Sequence, residues 1–250
     1  VAVNPADLAE PQVATEPVPD PQLPAEEVAY YDAKATEPRI SHDAAKNNLR
    51  KYFDDAEVGE DKKKKGWDWY RQEHEHIAKA AAAPGVNASP ERFAGIVAAT
   101  SPNNQWTANI ATAQRVARLS TDHPDEDPNE FVPKIEHPGY MKAGVIKGIK
   151  IHRGEDLATV LGDKKIYNFH HNLVDPEGTE DMVTMDRWMH RALVGGRETT
   201  SKETSYFAKP GYDWGADIVR ELASEVGYTP QQLQAIIWTE IKRSWPRGIR

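Results

Sequence analysis

The chain has no cysteine. That absence removes disulfides, thiolate nucleophiles, iron–sulfur clusters and cysteine-ligated zinc together. No apolar run approaches the roughly 20 residues a membrane-spanning helix needs, so no membrane partner is expected. The leading residues lack a basic stretch followed by an apolar one, so no secretory signal is read and a cytoplasmic location is expected. Alternating strand-like runs and internal repeats are missing. So are the Walker and dinucleotide glycine patterns, and no cofactor is expected.

The 250 residues that remain are 39 % hydrophobic and 28 % charged, the balance of a soluble globular chain. Their net charge of −8 is uneven: residues 1–60 carry 13 acidic and 5 basic residues, which accounts for all of it. The rest is neutral, which permits a nucleic-acid partner without suggesting one. Seven prolines fall between Pro5 and Pro38, among Ala, Glu, Val and Gln. Residues 1–40 therefore read as a Pro-rich acidic tail, disordered or extended, with too little apolar surface to offset its ordering entropy. A protein partner that orders it is the alternative to a plain leader.

Residues 41–250 read as one all-helical domain of eight to ten helices. Ser41 caps a helix carrying Ala45, Leu49 and Phe53 at four-residue spacing, and Ser89-Pro90 and Thr229-Pro230-Gln231-Gln232 are further helix starts. Residues 121–139 and the stretch after Gly195-Gly196 read as loops. Lys62–Lys65 is either a solvated turn or a phosphate-facing loop.

Three segments carry the chemistry. The first runs from Phe93 through the break Ser101-Pro102-Asn103-Asn104-Gln105 to Trp106 and Asn109. The second, Leu161-Gly162-Asp163-Lys164-Lys165-Ile166, opens a helix. The third, Val183-Thr184-Met185-Asp186-Arg187-Trp188-Met189-His190-Arg191, enters another. In order and spacing they resemble the helix-hairpin-helix DNA glycosylases of the endonuclease III-like superfamily over roughly residues 90–195, and Gly139–Ala143 is similar to the segment before the family's hairpin. Together with Trp67–Tyr70 and Gln234–Trp238 they also look like helical proteins of actinobacteria and their phages, which would place the protein in a host cytoplasm.

The resemblance implies a helix-hairpin-helix DNA glycosylase-like fold and a duplex DNA partner whose target base is flipped out of the stack. It makes Asp186 the carboxylate that stabilises positive charge on the sugar; Asp186 is equally placed to cap the helix that follows, and one residue can do both. Lys164 or Lys165 would be the Schiff-base nucleophile of a bifunctional member, or a phosphate-contacting surface lysine. Asn103, Asn104 and Gln105 would fill the gap left by the base. Gly162 would turn the hairpin against a phosphate, and Arg191 would hold the family's arginine position or a surface salt bridge. Trp106 would stack on a base or belong to the core.

The chain departs from that pattern in three places. Only Leu161-Gly162 remains of the hairpin's Leu-Pro-Gly-x-Gly, the cluster cysteines are absent, and the spacer before Asp186 is longer. No metal is expected: His74 and His76 point apart on a helix, and His-Glu-x-x-His is missing. His171 and His190 are read as solvated or packed.

The leading expectation is thus an N-glycosylase acting on an extruded base through Asp186, with or without lyase activity, in DNA repair or DNA modification. The alternatives are a phage hypermodification transferase acting on a modified thymine, and a non-catalytic DNA-binding or virion-associated protein.

Overall fold

A computed structural model describes residues 40–134 and 141–245. The tail expectation, apart from Ile40, and Gly139-Tyr140 lie outside the described residues. The described part belongs to the unit Pro38–Arg250 and is all helical, with twelve α-helices, one 3₁₀ turn and no strand among the described residues. In chain order these are α1 (His42–Asp55), α2 (Trp69–Ala81), α3 (Pro90–Thr100), α4 (Trp106–Asp122), α5 (Pro128–Phe131), α6 (Lys142–His152), α7 (Leu157–Leu161), α8 (Lys164–Val174), α9 (Arg187–Leu193), α10 (Ser201–Ala208), α11 (Tyr212–Val226) and α12 (Pro230–Ser244).

Two of these exceed the expectation of eight to ten. Helix α5 starts on Pro128 after Asp127, whose carboxylate accepts from Asn129 N. Helix α10 follows Thr200, which forms a reciprocal capping box with Glu203. Both lie in stretches read as loops. The predicted starts at Ser41, Ser89 and Thr229 are all capped by those side chains, and proline occupies the first turn at the latter two.

The helices bury two apolar clusters. The first is built from the contiguous stretch α2–α8 around α3, every residue of which from Phe93 to Thr100 is buried. Helix α6 crosses it closely: a Cβ on Gly144 would stand 2.6 Å from the Ala99 carbonyl oxygen, and one on Gly148 would stand 2.9 Å from Val116. The second cluster joins α1 to α9–α12, through Leu49, Met189, Leu193, Ile218 and Ile236. Among the described residues, the first and the last helices thus belong to the second cluster, and the stretch between α1 and α9 builds the first, with Ala235 of α12.

Buried polar groups bridge the two. Tyr70 Oη donates to Gln234 Oε1 at 2.7 Å, and Asn172 Nδ2 donates to Thr184 Oγ1 at 3.2 Å. Paired in this way, they avoid the cost of buried unsatisfied groups. The third chemical segment enters at this seam.

Candidate functional site

Val183, Thr184 and Met185 are buried and extended, yet no neighbouring strand satisfies their backbone. Side chains do so instead. Tyr212 Oη donates to Val183 O (2.8 Å) and accepts from Met185 N (3.2 Å) and Asn168 Nδ2 (3.2 Å), while Asn168 Nδ2 also reaches Val183 O (3.0 Å). This fixes the approach to Asp186 from both clusters, since Asn168 is on α8 and Tyr212 on α11.

Asp186 caps α9. Its Oδ1 accepts from Trp188 N (2.9 Å) and Met189 N (3.0 Å), and its Oδ2 accepts from Trp238 Nε1 on α12 (3.0 Å). Close packing around this half-buried carboxylate pushes its pKa up; the three N–H donors and the charge of Lys165 act against that shift without cancelling it. The capping role is therefore real, and it leaves one oxygen held by a side chain from another helix.

Trp238 leads outward into a row of half-buried rings. It packs edge-on against Trp69 (5.0 Å between centroids), which packs edge-on against Trp106 (5.2 Å) and lies parallel to Phe169 (6.5 Å). Trp106 Nε1 donates to the buried Glu73, whose Oε2 also accepts from His76. Trp106 at the start of α4, Phe169 in the middle of α8 and Asp186 at the start of α9 thus lie along one seam, to which the first and third of the segments singled out in the sequence contribute.

The hairpin is α7, Gly162 and α8. Gly162 has φ +59° and ψ −40°, a positive-φ turn that favours glycine. Asp163 then caps α8, accepting from Lys165 N (3.0 Å) and Ile166 N (3.3 Å). The first free donors of α8 therefore go to this carboxylate and not to an open phosphate cradle as the resemblance implied. The two adjacent lysines diverge. Lys164 pairs with Asp213 and lies over the Tyr212 ring. Lys165 makes no ion pair, and its charge acts on both Asp186 and His190.

The other expected residues scatter. Asn103 (φ +59°) and Gln105 are exposed, whereas Asn104 turns inward to Thr112 Oγ1 (3.3 Å). Arg191 takes no position on the surface: its side chain is 6 % exposed, pairs twice with Glu198, and is sandwiched between Trp188 and Trp245. Its Nε and Nη2 are held by Glu198 in a buried ion pair, where the resemblance implied a DNA contact. Lys63, Lys64 and Lys65 turn onto Trp67, the Asp54 and Ala56 carbonyls, and Glu57. His74 and His76 bond to Leu173 O and Glu73 respectively. His190 is packed, as read; it stacks on Phe207 and is discussed below.

Sequence reasoning missed Trp69, Glu73 and Trp238 as site residues. A signal for the last was present: Gln231, Gln234 and Trp238 recur at three- and four-residue spacing, a stripe of polar-tipped side chains along one face of α12.

Residues 32–244 match the family of unknown function DUF7178. No curated protein and no solved structure matches the chain.

Proposed function

The chain belongs to the DUF7178 family, and for it we propose an N-glycosylase that acts on a base extruded from duplex DNA. The observation that carries this reading is Asp186. It is a carboxylate with a raised pKa, clamped by three donors at the end of a row of half-buried aromatic rings. A flipped base stacks on such rings, a contact worth about 1–3 kcal/mol. The bond between the base nitrogen and C1′ breaks with its electron pair leaving on the base. Asp186 stabilises the cation left on the sugar, and water adds to C1′, its oxygen bonding the sugar and one proton passing to the departed base anion, to give an abasic site and the free neutral base.

The test is incubation of the full chain with duplexes containing uracil, oxidised bases or hydroxymethyluracil, read by intact mass. Base loss that disappears in Asp186→Asn supports the reading. A gain in base mass assigns the site to a transferase instead. Unchanged mass in all substrates, with wild-type protein that binds the duplexes, makes it a non-catalytic DNA-binding protein.

A further inference from the structure

Helix α2 and the turn before it meet α12 at three places. Trp69 packs edge-on against Trp238, with centroids 5.0 Å apart. One turn back along α12, Gln234 Oε1 accepts from Tyr70 Oη at 2.7 Å, and Tyr70 and Gln234 are only 4 % and 3 % exposed. Gly66, just ahead of α2, presses on the same stretch: a Cβ there would stand 2.9 Å from Ala235 O and 2.7 Å from Thr239 Oγ1. These contacts differ in kind. A ring against a ring is held by dispersion and a weak quadrupole, so it tolerates sliding and tilting. The Tyr70–Gln234 bond is directional, and in a buried setting water does not compete for it. It therefore sets the register of α2 on α12. Trp238 is the residue that feels this register, because its Nε1 donates to Asp186 Oδ2 across the seam at 3.0 Å. A tilt of that indole bends a bond whose strength falls with angle.

We infer that Tyr70 and Gln234 are positioning residues for Asp186: their bond fixes the Trp69–Trp238 contact and, through it, the indole N–H held on Asp186 Oδ2. Neither residue bonds to Asp186, whose acceptors are taken by Trp188 N, Met189 N and Trp238 Nε1. Both act through Trp238. The inference deepens the proposed function, and it rests on that reading only for its consequence in catalysis.

The experiment follows the carboxyl carbon resonance of Asp186 against pH in the full chain, assigned by its loss in Asp186→Asn, with thermal melts to check folding. The charges of Lys165 and Lys242, which act on Asp186, are the same in every variant. Tyr70→Phe is expected to raise the midpoint by about half a pH unit, part of what a hydrogen bond to a charged group is worth, and to slow base release. Gly66→Ala, which pushes the entry of α2 off α12 and alters no site side chain, moves the midpoint the same way. Tyr70→Phe alone leaves Gln234 Oε1 buried and unpaired. Adding Gln234→Leu removes that atom, so the double variant regains melting temperature but keeps the shifted midpoint. In a Trp238→Phe background, Tyr70→Phe adds no further shift, because the bond it acts through is gone. Gly144→Ala, which costs stability where α6 meets α3, is the control and leaves the midpoint at the wild-type value. An unmoved midpoint in folded Tyr70→Phe overturns the proposal. So does a midpoint that recovers with stability in the double variant, or a full shift that persists without the Trp238 indole. If Asp186 responds as described but no duplex loses a base, the positioning stands and the glycosylase reading falls. If bases are released while none of these changes moves the midpoint, the reverse holds.

Discussion

Trp238 donates its indole N–H to Asp186 Oδ2 at 3.0 Å, across the junction between α12 and the start of α9. This bond fixes the one carboxylate oxygen that the helix cap does not hold. It also ties that carboxylate to the aromatic row, because the same indole packs on Trp69.

Trp238→Phe keeps most of the ring packing and removes the donor. One of the three donors opposing the raised pKa of Asp186 is then lost, so the pKa rises further. The acid limb of the pH–rate profile for base release moves to higher pH. Stability falls by about 1–2 kcal/mol, the cost of a lost hydrogen bond to a charged group plus a small volume change.

Substitutions at Asp186 separate its two roles. Asparagine caps helices about as well as aspartate, whereas alanine costs about 1 kcal/mol. Asp186→Asn keeps the cap but turns its amide NH2 toward the Trp238 N–H, so it is expected to lose the roughly 1–2 kcal/mol of that bond together with base release, and Asp186→Ala to lose the cap as well. An Asp186→Asn protein that retains wild-type turnover reduces Asp186 to a cap.

The contact of α6 with α3 gives a test of the fold that is independent of function. Gly144→Ala places a Cβ 2.6 Å from the Ala99 carbonyl oxygen, a backbone atom that no rotamer change can move aside. Overpacking of this kind costs about 1–3 kcal/mol, to be read as a lower urea midpoint. Gly154→Ala adds its Cβ to open space, but at φ +102°, so any loss there comes from backbone strain alone.

Local signals in the sequence located most helices, because capping residues and apolar spacing act within one or two turns. The helix at Ser201–Ala208 escaped although Thr200 and Glu203 form the capping box that marks such starts. Its only buried residues are Glu203 and Phe207, so it shows almost no apolar stripe. Closure of α1 onto α9–α12 could not be read at all: Leu49 and Met189 meet in one cluster although 140 positions separate them, and no local pattern encodes that pairing. The cap at Asp186 was legible from its place before a helix, and its proposed chemistry came from the resemblance; the choice between Lys164 and Lys165 could not be read. Neighbouring helical residues point about 100° apart, and only the packed structure shows that Lys164 turns to Asp213 and the Tyr212 ring. Arg191 looked available because a sequence does not show that Glu198 and two indoles enclose it.

His190 yields a pH prediction. It lies one turn beyond Asp186, is 5 % exposed, stacks on Phe207 with centroids 5.1 Å apart, and has no hydrogen-bond partner on either ring nitrogen. Burial, with a smaller contribution from the Lys165 charge, lowers its pKa from 6.5 to about 4. In the unfolded chain the imidazole takes up a proton as the pH falls through 6.5, while the folded protein resists until about pH 4. Unfolding is thus favoured progressively across that window. The gap of pKa values corresponds to about 3 kcal/mol. His190→Phe keeps a ring against Phe207 and sacrifices no hydrogen bond. Its stability in urea at pH 7 should lie close to wild type, and at pH 4.5 it should exceed wild type by about 2–3 kcal/mol. Glu203, held at about 2 chiefly by its bond to Arg197, loses its contribution only below the ordinary carboxylate range, and it does so in both proteins, so it cancels from the difference. Equal acid sensitivity of the two proteins would show that His190 is protonated in the fold, and the buried neutral imidazole would have to be abandoned.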